Sequence, residues 1–120
     1  MTLHRLLTAA AAVVAVSAPA ATVLAHARLV SATPAANTTV ASPGVISLTF
    51  SERMVPAFSS FDLVDAAGRE TAVRTTVSED GKTLSARLAR PLRAGAWIVN
   101  WRIASSDGHR MTGSYGFTVR

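Results

Sequence analysis

From residue 26 to the end of the chain, apolar and polar side chains alternate with a period of two, not with the 3.6-residue period of an amphipathic helix. The alternation is strongest in the stretch 96–103, whose large apolar residues share one face: Trp97, Val99, Trp101 and Ile103. Side chains two positions apart on a β-strand point to the same side of the sheet. We therefore predict that both tryptophans lie in the core and do not form a ligand-binding platform.

Turn signals divide this alternating region into short strands, and no segment has a convincing helical pattern. Pro43-Gly44, Asp65–Gly68 and Asp80-Gly81 are typical of turns, and the last is a hairpin signal. The predicted strands cover about 28–33, 45–50, 60–65, 71–77, 83–88, 96–103 and 114–119. Seven short strands with such spacing predict an all-β fold, an antiparallel seven-stranded β-sandwich or barrel of immunoglobulin-like kind.

The first 25 residues resemble a secretory signal peptide. A short positive start precedes the apolar run 6–16, and Val23 and Ala25 occupy the positions typical of a cleavage site. The alternative is a membrane anchor, because residues 6–25 approach the roughly 20 residues needed to cross a bilayer. Serine, proline and threonine interrupt that stretch, so we favour cleavage after Ala25.

This interpretation divides the chain into a signal peptide at 1–25 and one domain at 26–120, since the length that remains after cleavage suits a single core. We expect the processed protein to be exported, to the periplasm or the extracellular space, and not to span a membrane. The chain has no cysteine, which excludes disulfides and thiolate metal sites. Its formal charge of +5 is scattered along the sequence without a basic stripe, so we do not expect nucleic-acid binding.

Cleavage after Ala25 would make His26 the first residue, and its free α-amine and ring nitrogen could then chelate one metal ion. His109 is the only other histidine that remains, and Asp107 adds a carboxylate two residues before it. Copper(II) prefers nitrogen and oxygen donors in a square or tetragonal plane and binds most tightly among divalent first-row metals. Three nitrogens and one carboxylate match that preference, so the sequence predicts a copper(II) site.

The spacing of Asp107, Gly108 and His109 is compatible with this site, because residues two apart on an extended segment face the same side. Each residue also has a simpler explanation. Asp107-Gly108 is common in ordinary turns, His109 could be a surface histidine, and His26 could be first only by accident of cleavage. Glu52 is a candidate outer ligand, with a solvated loop carboxylate as the alternative.

Several segments resemble CopC-type copper-resistance proteins, over essentially the whole chain after the signal peptide. The matching segments are His26–Ala35, Leu48–Glu52, Pro91–Gly95, Val99–His109 and Gly113–Phe117. The resemblance implies an exported copper carrier with a seven-stranded β-barrel or sandwich.

The resemblance also implies copper(II) ligation by the amine and ring of His26 together with Asp107 and His109. Some members carry a methionine-rich loop for copper(I), but here the matching region has no methionine, and Met54 and Met111 stand far apart in sequence. We therefore expect a copper(II)-only protein. Its expected partners are the copper ion and an inner-membrane copper transporter of CopD type, and it is expected to be a monomer.

The expected function is copper(II) sequestration or transport in copper homeostasis and resistance, without catalysis. One alternative is a copper monooxygenase, since an N-terminal histidine and a second histidine on a β-sandwich also hold copper in such enzymes. Asp107 would then occupy a position that oxygen needs, which disfavours this alternative. The other alternative is a metal-free interaction sandwich.

Overall fold

The computed structural model describes residues 10–15 and 26–120. The predicted signal peptide therefore lies outside the described residues, except for the exposed stretch 10–15, which has no regular secondary structure. Cleavage after Ala25 stays a prediction. Within the two described ranges, no helix is long and apolar enough to cross a bilayer.

The fold is all-β with two sheets, as predicted, and contains one short 3₁₀ helix at Pro56–Phe58. The strands are β1 (Leu29–Thr33), β2 (Thr39–Val40), β3 (Val45–Phe50), β4 (Ser60–Asp65), β5 (Glu70–Ala72), β6 (Thr75–Val77), β7 (Thr83–Arg87), β8 (Gly95–Ala104) and β9 (Arg110–Val119). One sheet has the order β1-β3-β7-β6 and the other has the order β2-β9-β8-β4-β5. All pairings are antiparallel except that of β2 with β9.

The predicted alternation fills the space between the two sheets. The largest fully buried side chains come from four strands, β3, β4, β7 and β8: Ile46, Leu48, Phe50, Phe61, Leu63, Leu84, Val99 and Ile103. Burial of each such side chain stabilises the fold by about 1.5–3 kcal/mol. Trp97 is also buried, and the half-buried Trp101 packs edge-on against Phe50 with ring centroids 5.0 Å apart. Assignment of both tryptophans to the core is confirmed.

The strand count differs from the prediction because one predicted strand is divided between the sheets. The stretch 71–77 forms β5 in the five-stranded sheet and β6 in the four-stranded sheet, and the chain crosses between them at Val73 and Arg74. The two-residue strand β2 lies between the predicted strands 28–33 and 45–50, and β9 begins at Arg110 instead of residue 114. The described residues therefore form nine strands, where about seven were predicted, and the all-β, two-sheet architecture is unchanged.

Two pairs of strands bring distant parts of the chain to one end of the sandwich. The hairpin of β8 and β9 is paired from Gly95 and Val119 to Ala104 and Arg110, so its connecting loop 105–109 lies at that end. Pairing of β1 with β3 places the start of the domain beside the segment that follows β3. An isolated bridge between Met54 and Ser105 joins this segment to the hairpin loop.

Candidate metal centre

The loop 105–109 is a tight turn closed by two backbone hydrogen bonds. The amide of Gly108 donates to the carbonyl of Ser105, and the amide of Ser105 donates to the carbonyl of His109, both at 2.9 Å. Gly108 has φ of +90°, a conformation that favours glycine. The expectation that this segment is extended is wrong, and the alternative of an ordinary turn describes its backbone. The turn nevertheless brings the side chains of Asp107 and His109 together.

Asp107 is held in place by donors from its own loop. The hydroxyl of Ser105 donates to Oδ1, and the amide of His109 donates to the same oxygen at 3.2 Å. These hydrogen bonds, together with the nearby His109 ring, lower the pKa of Asp107 to about 2. The carboxylate is therefore ionised at any pH at which a histidine can bind metal.

The ring of His109 faces the second oxygen of that carboxylate. Nδ1 of His109 lies 3.0 Å from Oδ2 of Asp107, yet the two atoms are not aligned for a hydrogen bond, so the contact is electrostatic. This nitrogen is shielded from solvent and has no hydrogen-bond partner in the described residues. A shielded polar atom without a partner is uncommon in folded proteins. A bound cation would satisfy both atoms.

His26 is positioned by the two residues that follow it. Ala27 is only 4% exposed and belongs to the core, and the amide of Arg28 donates to the hydroxyl of Ser51 at 3.0 Å. The amide of Ser51 donates in return to the carbonyl of Arg28 at 2.9 Å. The exposed ring of His26 consequently lies with its centroid 5.3 Å from that of His109, and the two rings are nearly perpendicular, at 85°.

The segment 51–55 connects the start of the domain to the hairpin loop, a role that was not predicted from the sequence. Besides its bonds to Arg28, it accepts a hydrogen bond at the carbonyl of Arg53 from the amide of Ser106, at 3.1 Å. The amide of Val55 donates to the carbonyl of Ala104 at 2.8 Å. Such backbone contacts leave no periodic signal in a sequence. The hydrogen bond from the hydroxyl of Ser105 to Asp107 had a weak sequence signal, because a serine two residues before an aspartate is typical of such local contacts.

Glu52 is exposed and lies in this connecting segment. The register of β1 and β3 pairs Leu29 with Phe50, and its extension by two residues would bring Ala27 opposite Glu52. Glu52 is therefore near His26 in the chain path, but it makes no polar contact with either histidine in the described residues. Over residues 10–15 and 26–120, no three histidine, aspartate or glutamate side chains already converge on one point.

The distances between the candidate ligands fit one metal ion. Metal–nitrogen and metal–oxygen bonds of about 2.0–2.1 Å at right angles separate two donors by about 2.8–3.0 Å. The 3.0 Å between Nδ1 of His109 and Oδ2 of Asp107 matches neighbouring corners of such a plane. Two imidazoles that bind one ion at about 2.0 Å have centroids roughly 4.5–6.5 Å apart, and the rings of His26 and His109 are 5.3 Å apart.

Comparisons with known proteins give matches in both sequence and fold. The family model described as the CopC domain matches residues 29–120. A copper resistance protein C from Pseudomonas syringae pv. tomato is 46% identical over 103 residues, covering 80% of this chain and 82% of the relative. Among solved structures, CopC from Methylosinus trichosporium OB3b has a TM-score of 0.71 at 35% identity and covers 78% of this chain and 93% of its own. PcoC, a methionine-rich copper resistance protein from Escherichia coli, has a TM-score of 0.70 at 37% identity and covers 80% and 100%.

Proposed function

This chain belongs to the CopC domain family, and we propose that it binds one copper(II) ion outside the cytoplasm and carries or sequesters it without catalysing a reaction. Relatives from Xanthomonas campestris pv. juglandis and Pseudomonas syringae pv. tomato are named copper resistance protein C, which supports a role in copper homeostasis. The signal peptide 1–25 would direct export and would then be removed. The copper ion is the cargo, and a CopD-type copper transporter of the inner membrane is the proposed partner.

One observation carries the proposal more than any other: the rings of His26 and His109, 83 positions apart in sequence, meet with centroids 5.3 Å apart. The proposed ligands are the α-amine and ring nitrogen of His26, Nδ1 of His109 and Oδ2 of Asp107. In the full chain the nitrogen of His26 is part of a peptide bond, so the amine becomes a ligand only after cleavage. Copper(II) suits this donor set because it accepts nitrogen and carboxylate ligands in a plane.

Glu52 is proposed as a weaker, outer ligand. Its segment is hydrogen-bonded to both neighbours of the site, through Ser51 to Arg28 and through Arg53 to Ser106. The side chain is exposed and therefore able to change its rotamer when an ion is present. A solvated carboxylate close to a cation would add mainly electrostatic attraction, which is small next to that of a direct ligand.

We expect copper(II) to raise the melting temperature of the processed protein by more than about 10 °C, and zinc to raise it much less. Free metal at 1,000 times the dissociation constant stabilises the folded state by about 4 kcal/mol, and a domain of this size shifts by roughly 4–8 °C per kcal/mol. Copper(II) binds nitrogen and oxygen sites more tightly than zinc. Thermal denaturation with each metal, repeated on His109→Ala, measures the effect. Equal shifts for both metals would contradict a copper(II) site.

Copper(II) affinity is expected to rise steadily between about pH 6 and pH 8. A terminal amine titrates near about 8 and a histidine near about 6.5, and both must be deprotonated to bind. Since the pKa of Asp107 is about 2, the carboxylate stays ionised throughout this pH range and does not contribute to the change of affinity with pH. Titrations at several pH values should therefore give Asp107→Asn a lower affinity with the same pH dependence. An affinity that does not change between these pH values would exclude the amine as a ligand.

A further inference from the structure

A cavity of about 570 Å³ opens at the end of the sandwich opposite the candidate metal centre. It lies where the chain crosses between the sheets from β5 to β6, beside the loop that leads from β7 into β8. Strand β8 runs from this end to the metal end over ten residues. At a rise of about 3.3 Å per residue, the two ends are roughly 30 Å apart.

The interior of the cavity is apolar and recessed. Its large apolar lining residues come from the five-stranded sheet, from the crossing between the sheets and from the loop after β7: Leu63, Trp97, Val73, Leu88 and Leu92. Leu63 and Trp97 are buried core residues, so the cavity reaches down to the core between the sheets. Its volume lies within the range of about 300–1,000 Å³ that is typical of binding pockets.

The lining includes four arginines and no acidic residue: Arg74, Arg87, Arg90 and Arg93. Arg93 makes one loose ion pair, 3.8 Å to Asp65, with its side chain 76% exposed. Within residues 26–120, the other three form no ion pair closer than 4.0 Å. The fold thus gathers four of the chain's twelve basic residues around one cavity.

The nearest carboxylates do not neutralise this positive surface. Asp65 accepts hydrogen bonds from the amides of Ala67 and Arg69, both at 2.9 Å, and these bonds lower its pKa. Its Oδ1 is therefore used within its own turn, and its Oδ2 forms the loose pair with Arg93. Glu70 begins β5 but does not line the cavity. A ligand that carries negative charge would find the guanidinium groups of Arg74, Arg87 and Arg90 available for bidentate pairing.

Both strands that flank the cavity are the last strands of their sheets. Strand β5 ends the five-stranded sheet, and β6 ends the four-stranded sheet. The outer edge of such a strand offers unpaired amide and carbonyl groups, to which an extended peptide can add. An extended segment at this edge can direct alternate side chains into the cavity and towards its rim.

We propose that this end of the molecule binds an extended acidic segment of a partner protein. One large apolar side chain of that segment occupies the cavity, and carboxylates on either side pair with Arg74, Arg87 and Arg90. A membrane surface fits less well, because the apolar side chains here are recessed. The large apolar residues exposed on the domain, Val30, Val45, Phe58 and Ile98, do not line the cavity.

The test uses the purified, copper-free protein and a fluorescent peptide of about ten residues with glutamates on both sides of a single phenylalanine. Fluorescence anisotropy should show saturable binding, which Arg87→Glu/Arg90→Glu weakens by about tenfold or more. The matched control, Arg28→Glu/Arg110→Glu, makes the same change of net charge at the metal end and should weaken binding by less than about threefold. Equal losses in the two variants would mean that only net charge attracts the peptide, and would overturn the proposal.

Changes in the peptide test the apolar contact without any risk to folding. Replacement of the phenylalanine by serine should weaken binding to the native protein by about tenfold, since the buried ring contributes through its apolar area. Vesicles of anionic and neutral lipid, and a medium-chain fatty acid, are tested as alternative ligands of the cavity. Binding of either one with the same dependence on Arg87 and Arg90, but without binding of the peptide, would overturn the proposal. Because no copper is present, failure here leaves the proposed copper(II) function unaffected.

Discussion

Acetylation of the α-amine of His26, in the protein that begins at this residue, is expected to weaken copper(II) binding by about 1,000-fold or more, equivalent to at least about 4 kcal/mol. The amide nitrogen that results has no basic lone pair, although the imidazole is unchanged. Without the amine as a donor, His26 can no longer form the chelate. A second donor tethered next to the first acts at a high effective concentration, and this advantage disappears when only the ring can bind.

Acetylation should leave the metal-free protein folded, which makes the comparison clean. The anchors of the N-terminus are the buried side chain of Ala27 and the two hydrogen bonds between Arg28 and Ser51, and none involves the amine. The melting temperature without copper is expected to change by less than about 4 °C. Competition titrations against a chelator measure both affinities. If the acetylated and free forms agree within about tenfold, the amine is not a ligand.

An element of this fold could be predicted from the sequence when neighbouring residues determine it, and not when distant residues do. The alternation in β3 and β8 is local, because the buried face of each strand can be read from every second residue. The division of 71–77 into β5 and β6 is not local. Val73 and Val77 keep the same alternation on both sides of the crossing, so the pattern does not reveal which sheet each half joins. Strand β2 is defined by its pairing with β9, of Thr39 with Thr118 and of Val40 with Val119, which are far away in sequence.

The candidate site divides in the same way. Scarcity of histidine, and the resemblance of the surrounding segments to CopC-type proteins, indicated His26 and His109 as partners, and the structure brings their rings together. The backbone hydrogen bonds that hold the segment 51–55 against the hairpin loop could not be predicted. The carbonyls of Arg53 and Ala104 accept these bonds whatever their side chains are. Asp107 was expected to face an ion, and the structure adds that the Ser105 hydroxyl and its own turn keep it ionised. Direct ligation by these residues stays a prediction.

Tight packing of an aromatic ring on a strand glycine leads to the second large expected effect. In the pairing of β8 with β9, Gly113 lies directly opposite Trp101, whose indole lies over the glycine and against Phe50. A Cβ atom on residue 113 would be 2.2 Å from Cζ2 of that indole and 2.6 Å from Cε2. Real Cβ atoms do not come so close, so the ring would have to leave its position.

Gly113→Ala is therefore expected to destabilise the domain by about 3 kcal/mol, at the upper end of overpacking costs, and to lower the melting temperature by roughly 10–25 °C. Gly116→Ala, three residues further along the same strand, is the matched control, because a Cβ there meets only the carbonyl oxygen of Trp97 at 3.4 Å. Loss of glycine flexibility in the unfolded chain should make that change neutral or slightly stabilising. Chemical denaturation of both variants measures the difference. A similar stability for the two would show that the indole moves aside at little cost, and that its contact with Phe50 contributes little to the core.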